Sequence, residues 1–562
     1  MWRIEALLAR RGSVLLLVAL TGVLWALASP HWQFPLTWPL VFVPLLLALD
    51  RVLRKAPARG FGRWLRVLGC TWPAGILFAS LTGEWVTNTA FVYGQLPWPL
   101  AFGVNALGYG TLHGLELFWL IGVPFTLAWP HPLRAAALTT LWATTFQLFL
   151  PRFLFWTYGQ LMLPAIALVQ FADVLGSGGL NLLYLPLQFL LYAVLRARMF
   201  PAEVDPRAMT RAAMALGLGF LAAHAYGSWR LSALDEPAPG APVRSVMLVG
   251  IQPNFSLAAL ASNPALAHSD REASLDALLS DSTAALAGLN RDPALPVLVL
   301  WPESVYPVPY FYFPAERGRV EAWVREQGVN LVLATTDMRL MGAPGQRIRR
   351  EVFGAAVHVA PDGHARGVYH KIVLIPWGET IPLADVIPGY RELLLNWIPQ
   401  ISEFTAGKEH TVFQMASPAE EKNPIGVAPM ICFDASVESV ARGMAGNGAR
   451  VGVVLANLAW FGRTSVADQF AWFARFRAIE NRMPIVFLSQ NGESLLLDPA
   501  GRETMPRLEQ FTHGAFIARV NVPPDTRLYT RFGQWVNRGF LVALLGLLAW
   551  MWHARRTRRT PM

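Results

Sequence analysis

Long apolar stretches decide what this chain can fold into. They lie at about 13–29, 35–49, 65–81, 98–129, 133–150, 177–195 and 208–226, with an eighth from about Phe540 to Trp552. Most approach the length a helix needs to cross a bilayer. Hydrophobic residues make up 54% of the chain and charged residues only 15%, where soluble domains carry roughly a quarter charged. Lipid must therefore solvate part of it. The fourth stretch exceeds one span and contains Pro124, so it reads as one tilted or kinked helix with interfacial residues. A hairpin there is the alternative, and it would invert the orientation of everything after it.

Basic residues set that orientation, because Lys and Arg near span ends stay in the cytoplasm. With eight single crossings, Arg3, Arg10 and Arg11, the group from Arg51 to Arg66, Arg134, the group from Arg196 to Arg207, and the group from Arg555 to Arg559 all fall on one side. The opposite connections, around His31 to Trp38 and Gly83 to Trp98, are aromatic and nearly uncharged. Both termini are expected in the cytoplasm and the block between the last two spans outside it. These clusters account for much of the formal charge of +10, and no basic reading motif accompanies it, so nucleic acid is not an expected partner. No convincing small-residue cleavage site precedes the next hydrophobic run, and the first span is expected to stay attached.

Three regions result: a transmembrane helical domain over 1–228, an α/β domain over 244–525 entered through the proline-rich linker Glu236 to Pro242, and a C-terminal span with a basic tail over 530–562. The middle block, about 280 residues, is long enough to bury its own core. Apolar runs at Leu295 to Trp301, Val329 to Thr335, Phe353 to Ala360, Ala428 to Phe433, Val451 to Asn457 and Pro484 to Ser489 read as buried strands. Between them, Ser269 or Asp270 can start a helix that carries Leu275, Leu278, Leu279, Leu286 and Leu289 on one face. Ser465 with Asp468 resembles a capping box, and Asp498 to Gly501 reads as a turn. Helices alternating with buried strands imply a layered α/β fold.

The two cysteines, Cys70 in an apolar run and Cys432 in a mixed segment, provide neither a disulfide framework nor a metal cluster, and no metal or cofactor is expected. Three segments near strand ends present reactive side chains: Glu303, Lys371 and Cys432. A carboxylate that takes a thiol proton, and an ammonium that lowers the thiol pKa and holds an oxyanion, are the parts of thiol acyl transfer. The N–H of Phe433, next after the thiol, is a natural second oxyanion donor. Each residue also has a plainer reading: Cys432 as a small buried hydrophobe, Glu303 as a helix-start carboxylate, Lys371 as a solvated loop base.

The flanking words resemble the nitrilase, or carbon–nitrogen hydrolase, superfamily over nearly all of 245–525. They are Trp301-Pro302-Glu303-Ser304, His370-Lys371 followed by Pro376-Trp377-Gly378-Glu379, Ile431-Cys432-Phe433-Asp434, Asn457 to Gly462 and Arg475 to Arg482. The resemblance implies an α/β fold of the nitrilase-type αββα sandwich, inserted between about seven N-terminal transmembrane helices and one C-terminal helix. It also implies Glu303 as general base, Lys371 as oxyanion stabiliser and Cys432 as nucleophile. Within the superfamily, spans at both ends and Tyr529-Thr530-Arg531-Phe532-Gly533 before the last one resemble the apolipoprotein N-acyltransferases of the bacterial inner membrane. That likeness implies a phospholipid acyl donor, a Cys432 thioester, a lipoprotein N-terminus as acceptor, and a second functional glutamate at Glu379. Trp377, Trp460 and Phe461 are candidates for lining the lipid's lateral entry, or are core and interfacial aromatics.

The chain departs from that family at Phe433-Asp434, where tyrosine and glutamate are usual, and at Leu458, where aspartate is usual. It also lacks a tryptophan after Ile251-Gln252-Pro253 and an acidic and arginine word around Thr145 to Trp156. Alternative readings are a conjugal-transfer protein of TraB type acting on another amide or acyl acceptor, a catalytically silent assembly factor, and a membrane-anchored amidase.

Overall fold

A computed structural model describes residues 12–57, 60–149, 156–235, 244–255, 268–306, 308–341, 349–384, 386–397, 401–416, 424–522 and 527–557. The linker at 236–242 and the arginines at positions 3, 10, 11, 59, 558 and 559 lie outside them. The chain divides into two compact units, one of Met1–Asp235 with Arg531–Met562, the other of Glu236–Thr530.

In the first unit, helices occupy every apolar stretch read from the sequence. Among the described residues, four are long and apolar enough to cross a membrane by length and composition: Phe61–Thr82, Trp98–Ala128, Asn181–Met199 and Leu528–Ala554. The last begins well before the expected Phe540, because Leu528 to Gly539 continues the same helix. The long fourth stretch is one helical path and not a hairpin. Two π-helical segments, Val104–Tyr109 and Phe118–Gly122, interrupt it, and Pro124 enters just after the second. An i→i+5 turn lets the path continue across a proline that an unbroken α-ladder would reject. Small residues bring this path against Phe61–Thr82: a Cβ built on Gly75 would lie 2.2 Å from the Gly114 nitrogen.

The described residues of the second unit form two sheets. In chain order its strands are β1 (Arg244–Gln252), β2 (Val297–Trp301), β3 (Asn330–Met341), β4 (Arg349–Val359), β5 (Ala365–His370), β6 (Phe413–Met415), β7 (Ile425–Ile431), β8 (Val451–Ala456), β9 (Ile485–Ser489), β10 (Leu495–Leu497) and β11 (Gly514–Val522). One sheet runs β11-β1-β2-β3-β4-β5 and the other β10-β9-β8-β7-β6. Parallel pairing joins β1, β2 and β3 in the first and β7, β8 and β9 in the second, with antiparallel strands at the edges. The sheets meet where β1 approaches β9 and β4 approaches β7.

Strands β7, β8 and β9 are buried at every residue, as continuous apolar runs covered on both faces must be. Helices supply the outer layers: His268–Ala287 lies against β1, Glu438–Gly446 against β7 and Val466–Asn481 against β9. Leu275, Leu278 and Leu286 of the first of these are buried in a core with Val249, Val299 and Trp301. All six strands read from apolar runs are present. Ser465, however, makes no capping hydrogen bond; its hydroxyl accepts from Gln469 at 3.3 Å, and Asp468 is drawn to Arg507 at 2.9 Å.

Candidate active site

The chemistry-bearing residues stand where strands end. Glu303 follows β2 by two residues, and the fully buried Trp301 anchors that exit by donating to Ser282 Oγ at 2.9 Å. Ser304 then turns the chain with φ +65°. Lys371 follows β5 directly, Asn457 follows β8, and Cys432 follows β7. Cys432 itself has φ +46° and opens the 3-10 turn Cys432–Ser436. A non-glycine residue in the left-handed region is strained, and such strain concentrates at functional sites.

The Lys371 ammonium, with no exposed surface, lies 2.6 Å from Glu379 Oε1 and 3.5 Å from Glu303 Oε1. The remaining carboxylate oxygens are also engaged. Glu303 Oε2 accepts the Asn457 N–H at 3.0 Å, and Glu379 Oε2 accepts the Ile375 N–H at 2.9 Å. Glu303, Lys371, Glu379 and Cys432 are thus one electrostatic cluster.

Burial pushes the Glu303 carboxyl above the ordinary carboxylate range; Lys371 opposes that and Glu379 adds to it. Burial works to neutralise Lys371, but the charges of Glu303 and Glu379 outweigh it and hold the ammonium above its ordinary value. The Cys432 thiol is pushed well up, first by burial and then by Glu303, with Lys371 in opposition. The sequence suggested that the ammonium would lower the thiol. It does pull that way, but desolvation and the nearby carboxylate win. A thiol pushed up in this way needs a base to take its proton, and a carboxyl held above its ordinary range is suited to that task.

Asp434, fully buried, was legible only as a departure from a resemblance. Its Oδ1 accepts the N–H groups of Ile372 at 3.2 Å and Val373 at 2.8 Å, and its Oδ2 accepts the Tyr369 hydroxyl at 2.8 Å and the Ile431 N–H at 3.0 Å. Residue type did not reveal the role of Asn457 either, since it is the backbone N–H that reaches Glu303. Its side-chain Nδ2, Gln490 Oε1 and Asn491 Oδ1 are buried without a hydrogen-bond partner among the described residues.

Phe433 is buried, its ring 6.3 Å from that of Phe470. Leu458 is buried too, and a Cβ on Gly492 would lie 3.0 Å from its Cβ. Trp460 and Phe461 are half-buried in the 3-10 turn Ala459–Phe461. Trp377 has φ +59°, is 42% exposed and donates to the Tyr390 hydroxyl at 3.2 Å. Among the described residues no group of His, Cys, Asp and Glu is arranged to hold a metal ion.

Residues 273–524 match the carbon–nitrogen hydrolase family. Over most of its length the chain is similar to proteins named apolipoprotein N-acyltransferase. It is 28% identical to that of Geobacter metallireducens, covering 92% of this chain and 91% of the relative. The same identity holds for that of Rhodopseudomonas palustris over 94% and 93%. Among solved structures, a mutant of an amidase from Nesterenkonia, of the nitrilase superfamily, is similar at 18% identity and a TM-score of 0.35, covering 54% of this chain and 99% of that one.

Proposed function

From a chain that is apolipoprotein N-acyltransferase-like over most of its length, with a carbon–nitrogen hydrolase domain at 273–524, we propose an enzyme that moves a fatty acyl chain from phospholipid to the N-terminal amine of a lipid-modified lipoprotein. The observation that carries this reading is the buried Lys371 ammonium between the carboxylates of Glu303 and Glu379, in a cluster with the buried Cys432 thiol. Three charged groups are costly to bury together without a use.

Glu303 removes the Cys432 proton as the sulfur attacks the ester carbonyl carbon of a phospholipid. The Lys371 ammonium and the Phe433 N–H hold the oxygen that becomes negative. Collapse breaks the carbon–oxygen ester bond, Glu303 returns the proton to the departing glycerol oxygen, and an S-acyl Cys432 with a lysophospholipid remains. The neutral α-amine of the acceptor then attacks the thioester carbonyl and gives a proton to Glu303. Expulsion of the sulfur forms the amide, and the proton restores the thiol. Glu379 holds the lysine in place throughout. Trp377, Trp460 and Phe461 line the acyl path, and the reaction takes place on the extracytoplasmic side of a bacterial inner membrane, with both termini in the cytoplasm. The positive-side distribution of arginines and the exposed indole of Trp377 support this arrangement.

A lipoprotein reporter in cells depleted of their own acyltransferase tests the reading. Expression of this chain restores the N-acylated form on a gel, and Cys432→Ala does not. A wild-type chain that reaches the membrane and leaves the reporter unacylated contradicts it.

A further inference from the structure

We infer that Asp434 is a positioning residue, a carboxylate clasp that fixes the turn of Cys432 to the segment of Lys371 so that thiol and ammonium face one substrate carbonyl. The inference rests on the acyl-transfer reading above for its reaction but on the coordinates for its geometry. Oδ1 takes two N–H groups from the residues immediately after Lys371, Ile372 and Val373. Oδ2 takes the Tyr369 hydroxyl, two residues before that lysine, and the Ile431 N–H, immediately before the cysteine.

Four donors thus converge on two oxygens. Only a carboxylate meets them all, since an amide in either orientation would turn its own NH₂ toward N–H donors. The strained φ of +46° at Cys432 needs such an external hold, because nothing in a cysteine's own preferences favours it. A side chain that lost this clasp would free the turn to relax and the lysine segment to drift, and displacements near 1 Å at a reacting centre cost on the order of a hundredfold in rate.

The clasp works only when ionised. The groups that act on Asp434 are the Lys371 ammonium, which favours the charged form, the Tyr369 hydroxyl, and the N–H groups of Ile431 and Val373; burial opposes them and comes first, pushing the carboxyl up to about 6. Protonation would place a hydrogen between donor and acceptor at one of the two oxygens, so the turn loosens as the pH falls through that value.

Purified full-length protein in phospholipid nanodiscs gives the test, with wild type, Asp434→Asn and Asp434→Glu compared from pH 5 to 8. Two rates are read by peptide mass spectrometry: alkylation of Cys432 by iodoacetamide, which needs no acyl donor, and acyl-thioester formation. Asp434→Asn slows acylation by on the order of a hundredfold through kcat with little change in the KM for phospholipid, and it abolishes the step near pH 6 in the alkylation profile. Asp434→Glu, which keeps the charge, recovers a substantial part of both. Wild-type rates and pH profile in Asp434→Asn overturn the inference. So does an equal loss in both variants accompanied by a lower unfolding temperature, which would leave only a role in folding. If wild type takes no acyl group while the alkylation difference persists, the acyl-transfer reading fails and the clasp stands.

Discussion

Glu303 and Glu379 share one ammonium but hold it at different distances, 3.5 Å and 2.6 Å. The shorter contact, with the second oxygen of Glu379 fixed on Ile375, makes Glu379 the anchor of the lysine. Glu303 has the looser bond and the carboxyl raised by burial, so it is the one able to exchange a proton. A base must be ionised to act, and a raised pKa moves the acid limb of its activity to higher pH. Acylation by wild type is therefore lost as pH falls while still above the ordinary carboxylate range. Glu303→Gln removes the share of that limb that Glu303 sets, leaving only the share set by Asp434, and lowers the rate by roughly a hundred to ten thousand-fold, as a pH series of acyl-thioester formation would record. The same raised pKa carries a cost in stability. A carboxyl that binds its proton more tightly folded than unfolded contributes most below its unfolded value, and that contribution disappears as pH rises through the folded value. Asp434, at about 6, gives up stability at neutral pH to remain charged, a trade common at functional sites. Glu303, Lys371, Glu379 and Cys432 were legible because reactive side chains sat in recognisable words near predicted strand ends. Asp434 and Asn457 were not, because their contributions pass through backbone N–H groups whose directions depend on turns at Cys432 and after β8.

At the scale of elements, legibility followed burial. Strands β2, β7, β8 and β9 are covered on both faces and appear in sequence as unbroken apolar runs. Strand β11 alternates between exposed and more buried positions, β5 is mostly exposed or half-buried, and β6 has only three residues, so none offers such a run. β1 is apolar enough to be read as a strand, yet it is not among the six apolar runs named from the sequence. The expected capping bond of Ser465 is not formed; its hydroxyl accepts from Gln469 instead, and Asp468 pairs with Arg507. Among the helices, close approach depends on glycine. A side chain at position 75 would start 2.2 Å from the Gly114 nitrogen and 2.6 Å from its Cα, where backbone, unlike a side chain, has no rotamer by which to yield. Gly75→Leu is expected to cost at least the ~1–3 kcal/mol typical of overpacking. Thermal unfolding of the detergent-solubilised protein checks it: a transition lowered by several degrees is expected, and an unchanged one would mean that the two helices are not in contact through these glycines.

The whole molecule joins helices suited to lipid with an α/β unit suited to hydrolase-like chemistry, and the substrate proposed above, with both an acyl chain and an ester, would call for both in one chain. The acyl chain must stay out of water while its carbonyl reaches a thiol. A soluble amide substrate would make no such demand on four helices long and apolar enough for a bilayer. The most direct test is intact and peptide mass spectrometry of the protein purified from membranes, wild type beside Cys432→Ala, with the acyl acceptor withheld. The account predicts a fatty-acyl mass on Cys432 that neutral hydroxylamine removes and that the variant lacks. A wild-type Cys432 that stays unmodified with phospholipid in excess would contradict it, and would return the site to amide hydrolysis or to no catalysis at all.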